Sequence, residues 1–198
     1  MVVRRPEVRG MTYDEYCLLP DDRNRYEVIE GELTMSPSPN FRHQDTVWNL
    51  GQILRVFAKE HGLGVVIGAP MDVILEPNTI VQPDLLFIRS DNIGIIGDVI
   101  EGAPDLCVEV LSPSTSLHDR HTKKAVYARC GVPEYWIIDS AREIVSVFEI
   151  DGDTYRLRTE ATGDDVVTSG VLTGFQITAR SVFAYASSQT QPYRSVVG

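Results

Sequence analysis

Positive charge is in short supply in this chain: 18 lysines and arginines stand against 28 aspartates and glutamates, for a formal net charge of −10. That balance argues against a protein that coats nucleic acid without regard to sequence, although it leaves room for a local basic site. Cysteine is scarcer still. Cys17, Cys107 and Cys130 are odd in number, scattered and free of CxxC spacing. This speaks against a disulfide framework or a zinc knuckle and reads as reduced thiols in a cytoplasmic protein. No apolar run approaches the length of a membrane span, and the opening MVVRRPEVRG lacks the apolar stretch of a signal peptide. What is present is an ordinary globular mixture, 43% hydrophobic and 23% charged over 198 residues, which fits one domain with a sizeable core. The expected domain covers 1–186, with a polar tail over 187–198.

Residues 1–10 read as a loose arm, and MTYDEYCLLP as a short helix ended by Pro20. RYEVIEGELTMS alternates as a β-hairpin with Glu30-Gly31 at its turn. Asn40 is placed to cap a helix from Phe41 to His61, where Val47, Leu50, Leu54 and Phe57 recur at helical spacing and Gly62 stops it. GVVIGAPMDVILE and TIVQPDLLFIR read as two strands joined by EPNT, followed by a Gly-rich connection and a third strand, DLCVEVLSP. A loop and a helix follow over SPSTSLHDRHTKKAVYARCG, with Ser116 and Asp119 in capping-box spacing. PEYWIID is a fourth strand, EIVSVFEI and TYRLRTE begin a β-meander over 143–180, and SVFAYASS is a last short helix. The order from 41 to 139 is helix, three strands, helix, strand, which predicts an α/β fold with a mixed sheet flanked by helices.

Two carboxylates interrupt strands that are otherwise apolar. Asp84 sits behind Pro83 in IVQPDLLFI, and Glu109 sits inside DLCVEVL. Alternation puts Gln82 and Asp84 on one strand face, and Cys107, Glu109 and Leu111 on one face of theirs. If the strands are neighbours, the two carboxylates repel unless a cation lies between them. Magnesium, which favours oxygen ligands and keeps waters and phosphate oxygens, fits such a pair. Pro83 is then expected to mark a local bulge that re-aims Asp84. The plainer alternatives are a turn aspartate after proline and a structural ion pair at Glu109.

The helix after Glu109 carries Arg120, Lys123, Lys124 and Arg129 against the single acid Asp119. Lys123 and Tyr127 share one face of it. Taken alone, this is a solvated cationic face, and His118 and His121 are surface histidines rather than metal ligands.

Several of these pieces, in this order, carry a resemblance. RYEVIEGELTMSPSP with His43, VQPDLLFI, APDLCVEVLSPST, the helix with Asp119, Lys123 and Tyr127, and GVPEYWIID are similar to the family named putative restriction endonucleases, in the PD-(D/E)xK nuclease superfamily. The resemblance covers about residues 10–180. It implies a restriction-endonuclease-like core, with Asp84 as the aspartate of the PD motif and Glu109 as the acid of the (D/E)xK motif. The usual lysine position, two residues after that acid, is Leu111, and the resemblance shifts the lysine to the next helix, at Lys123. The implied activity is Mg²⁺-dependent hydrolysis of DNA phosphodiester bonds, with Mn²⁺ as the alternative ion. Asp84 and Glu109 hold the metal, and Lys123 stabilises charge on the phosphorus oxygens. Gln82, Glu32 and His43 are supporting candidates, and Arg120, Lys124 and Arg129 supply affinity for DNA. A homodimer, with the meander at its interface, fits the same reading. Two rivals stay open: an inert nuclease-like binding or structural module, and a metal-dependent hydrolase of a small phosphate substrate. Lys123 directed into the carboxylate pair favours an enzyme; Lys123 directed to solvent favours the module.

Overall fold

The computed structural model describes residues 10–20, 24–36, 38–112 and 118–183. The expected N-terminal arm lies outside them except for Gly10, as do Ser116 of the expected capping box, most of SVFAYASS and the polar tail. Helix α1 is one turn, Tyr13–Tyr16, and the Glu15 side chain accepts from the Thr12 backbone N–H at 2.8 Å. The hairpin follows as β1 (Arg25–Ile29) and β2 (Glu32–Ser36). Glu30 and Gly31 both take positive φ, 54° and 83°, the turn geometry that matches the twist of paired strands. Asn40 caps α2 (Phe41–Glu60), its side chain accepting from His43 N at 2.9 Å. The stripe Leu50, Leu54 and Ala58 is buried.

The two strands expected over 64–89 are four. They are β3 (Gly64–Gly68), β4 (Val73–Glu76), β5 (Thr79–Val81) and β6 (Leu85–Arg89). Together they make one long antiparallel hairpin that breaks at Pro70 on one arm and Pro83 on the other. Proline has no N–H for a ladder, so each arm leaves its first sheet there and joins another. The base of the hairpin, β3 with β6, belongs to one sheet, and the tip, β4 with β5, belongs to a second. This corrects the expected bulge: Asp84 occupies the joint between two sheets, where its carbonyl accepts from Ala69 N at 3.0 Å.

A single 3-10 turn at Ile93–Ile95 and the short β7 (Ile100–Glu101) lead to β8 (Leu106–Val110). A π-helical turn, His118–Lys123, runs into α3 (Lys124–Arg129), and Gly131 at φ 81° ends it. Then come β9 (Glu134–Asp139), β10 (Ile144–Asp151), β11 (Thr154–Thr162), β12 (Val166–Thr168), β13 (Gln176–Thr178) and α4 (Ala179–Val182).

The larger sheet has the order β11-β10-β9-β8-β6-β3, and the smaller one β2-β1-β5-β4-β7. In the larger sheet β8 and β9 are parallel and β6 runs antiparallel to β8, so the sheet is mixed. Its elements arrive as helix, three strands, helix, strand. The fold is α/β. On one face, Leu50 and Leu54 of α2 pack with Phe87, Val108 and Trp136. On the other, Leu86, Cys107 and Tyr135 pack with Tyr127 of α3 and with Val73 and Val81 of the smaller sheet. No helix among the described residues is long and apolar enough to cross a membrane.

Candidate active site

The register Leu86↔Cys107 sets the faces. Asp84, two residues before Leu86, and Glu109, two residues after Cys107, therefore lie on adjacent chain segments, Asp84 just ahead of β6. Both are buried, at 3% and 2% exposure. The sequence leads one to expect a pair that needs a cation, with Lys123 as the one side chain directed at it. The structure adds to this, because each carboxylate is surrounded by further donors. Asp84 Oδ1 accepts from Arg25 Nη1 at 2.8 Å, and its Oδ2 takes the Val110 backbone N–H at 2.8 Å and lies 3.2 Å from His43 Nε2. Glu109 Oε1 accepts from Lys123 Nζ at 2.9 Å and from Tyr127 O–H at 2.8 Å.

Lys123 makes a second bond that the sequence does not announce. Its Nζ also stands 2.9 Å from Glu27 Oε2, and the lysine is itself only 3% exposed. Glu27, on β1, is fixed from the other side by the Gln82 backbone N–H at 2.7 Å. Three buried carboxylates thus converge with two cations, Arg25 and Lys123, and with His43. Burying such charges is tolerable only because they are paired and hydrogen-bonded.

Electrostatics follow from the contacts. Burial pushes the Asp84 carboxyl up, but the His43 hydrogen bond and the charge of Arg25 outweigh it and hold the group well below the usual carboxylate range. For Arg25, burial opposes the charge, and the carboxylates of Asp84, Glu27 and Glu109 overcome it, so the guanidinium stays charged. The Tyr127 hydroxyl is pushed far up, by burial first and then by Glu109, and stays a proton donor.

The supporting candidates divide. His43 and Gln82 line a cleft of about 340 Å³ together with Arg25 and Asp84. A carboxylate oxygen only accepts, so His43 Nε2 carries the proton toward Asp84, while Nδ1 is buried without a partner among the described residues. The Gln82 amide is pinned, donating to Asp72 Oδ1 at 2.7 Å and to Tyr16 OH at 3.1 Å. Glu32 is exposed, opposite Ile29 at the turn end of the hairpin. The hairpin acid at the site is Glu27, opposite Thr34 and buried by the partner strand β5.

The expected cationic face does not stand free. Arg129 is tied to Glu30 at 2.6 Å and to Glu76 at 3.1 Å. Lys124 is half-buried with its ammonium 3.5 Å from the centre of the Phe148 ring, so it does not simply face solvent. The Arg120 side chain lies outside the described residues. At 111, where a strand lysine would stand, Leu111 completes the apolar cluster beneath Tyr127.

Residues 13–180 match the model of the family described as "Putative restriction endonuclease" (Uma2). The chain belongs to that family. A crystal structure described as that of a putative nuclease belonging to DUF820, from Anabaena variabilis ATCC 29413, superposes with a TM-score of 0.77 at 18% identity. The match covers 89% of this chain and 99% of that one. The architecture is restriction-endonuclease-like. No curated protein matches the chain.

Nucleases of this fold generally use divalent metals. Among the described residues no group of three or more His, Cys, Asp or Glu side chains forms a ready cage for an ion. The donor set nevertheless fits a hard cation, being all carboxylate oxygen. Between Glu27 and Glu109 a cation is already in place, in the form of the Lys123 ammonium.

Proposed function

We propose that this family member is a divalent-metal-dependent endonuclease that hydrolyses DNA phosphodiester bonds, with Mg²⁺ as the ion and Mn²⁺ as its substitute. The observation that carries this reading is the buried Lys123 ammonium, held at 2.9 Å from both Glu27 and Glu109. A lysine on an inert helix would leave its charge in water. Asp84 and Glu109 would hold the ion, with Glu27 as a further oxygen donor. When bound, it supplies a polarised phosphoryl oxygen and a water of lowered pKa.

The rest is the work of the chain's own residues. Lys123, released from one of its carboxylates, follows the negative charge that builds on the phosphorus oxygens. Arg25, fixed through Asp84, presents its remaining guanidinium donors to a phosphate oxygen. His43, oriented by the bond from Nε2–H to Asp84, offers Nδ1 as the atom that takes a proton from the attacking water. Tyr127 keeps Glu109 oriented.

The test is incubation of supercoiled plasmid and of single-stranded circular DNA with the purified chain and Mg²⁺ or Mn²⁺. The wild type should cleave at least one of them only when metal is present, and Asp84→Asn should abolish cleavage. No metal-dependent cleavage of either substrate, or an Asp84→Asn variant as active as wild type, rejects the reading.

A further inference from the structure

We infer that the cleft over Asp84 continues into a nucleobase subsite, so that substrate arrives at the carboxylates as an unpaired nucleotide, single-stranded or swung out of a duplex. This rests on the nuclease reading and names its substrate class. The cleft shares the walls Gln44, Val47 and Ala69 with a larger groove of about 690 Å³. Two large aromatic side chains of α2, Phe41 and Trp48, line that groove while remaining 72% and 70% exposed. Seven residues apart, they lie on one side of the helix. The Trp48 ring, exposed beside a polar cleft, is a platform on which a base can stack.

Spacing and chemistry agree with one nucleotide spanning both parts. His43 in the cleft and Trp48 in the groove are five residues apart, about 7.5 Å along the helix axis. At the cleft end, Arg25 Nε and Nη2 are buried donors that make no hydrogen bond among the described residues, Nη2 standing 4.0 Å from Glu27 Oε1. Their natural complement is an acceptor-only group such as a phosphate oxygen. Access points the same way. Asp84, Glu27 and Glu109 are each no more than 3% exposed, so the scissile phosphate has to descend into the cleft. Stacked, paired DNA holds its phosphates on a stiff cylinder, and a strand released from the stack can enter a pocket.

The chain provides its own reporter. It has two tryptophans, of which Trp136 is fully buried and Trp48 exposed, so acrylamide quenching reads Trp48. With EDTA present to prevent cleavage, short single-stranded DNA should shield Trp48 from acrylamide and bind about tenfold or more tightly than a duplex of the same sequence. Trp48→Ala should bind the single strand about tenfold more weakly, and Trp48→Phe should recover most of the loss. The inference is overturned if duplex shields Trp48 as well as the single strand does, or if Trp48→Ala binds undiminished. It is also overturned if shielding appears on concentrating the protein without DNA, which would assign the groove to a second copy of the chain. Binding in EDTA is scored apart from cleavage in Mg²⁺, so failure here and failure of the nuclease reading are distinguishable.

Discussion

Replacing Lys123 by methionine keeps the length of the side chain and removes its charge. In the folded chain that ammonium is 3% exposed and holds both Glu27 and Glu109 at 2.9 Å. Its loss leaves two buried carboxylates short of a cation, with Tyr127 still donating to Glu109. Breaking a buried pair on one side costs about 3–5 kcal/mol, a large share of the roughly 5–15 kcal/mol that holds a domain together. For a domain of this size each kcal/mol lowers the melting temperature by about 2–4 °C. Lys123→Met should therefore melt about 6–20 °C below wild type in EDTA at neutral pH, followed by circular dichroism. Adding Mg²⁺ should then raise the variant's melting temperature more than that of wild type. In wild type the ion competes with the lysine, whereas in the variant it replaces it, contributing about 2.7 kcal/mol at a hundred times its dissociation constant. The variant should remain unable to cleave DNA even when so stabilised. A melt within about a degree of wild type in EDTA would refute the buried-ammonium argument, and equal Mg²⁺ responses would refute the competition.

Asp84 is held well below the usual carboxylate range, so its stabilising contribution is full above the unfolded value of about 4 and is lost as pH falls through the folded one. The melting-temperature gap between wild type and Asp84→Asn should accordingly be constant from about pH 5 to 7 and shrink below about pH 4; a gap that instead widens in acid contradicts the assigned pairing. Glu27→Gln should lose cleavage while Glu32→Gln cuts like wild type, since only the former reaches Lys123; plasmid assays that rank them the other way reverse the assignment. Arg129→Ala removes exposed ion pairs to Glu30 and Glu76 and should cost no more than about 1 kcal/mol in urea unfolding, with little change in the salt dependence of DNA binding. Leu54→Ala, by contrast, empties a core position between α2 and the larger sheet and should cost about 2–5 kcal/mol.

The parts of the fold readable in the sequence are those with local causes. The turn at Glu30-Gly31, the Asn40 cap and the stop at Gly131 all follow from residue type and period. Two things did not follow. The strand pattern over 64–89 looks continuous because Pro70 and Pro83 interrupt it by only a few residues, and periodicity does not say that a chain has changed sheets. The place of Glu27 and Arg25 depends on β1 pairing with β5 through Val28↔Ile80, a contact that bridges distant segments. The sequence does carry a faint signal: Arg25 and Glu27 alternate with Tyr26 and Val28, so two charges share one strand face beside a hairpin already rich in acids. What separates Glu27 from Glu32 is burial by neighbouring chain, which local sequence does not encode.

The broken hairpin bears on how the chain is made. Because its base is built into one sheet and its tip into the other, neither sheet is complete until both have formed. The groups around Asp84 are gathered from far along the chain: Arg25 meets it across 59 residues and Val110 across 26. Contacts of such long separation close late, after the loops they span have been ordered. A molecule whose N-terminal hairpin is undocked lacks Arg25 at Asp84 and Glu27 at Lys123. The carboxylate cluster is therefore completed only when the N-terminal hairpin has docked on the broken one.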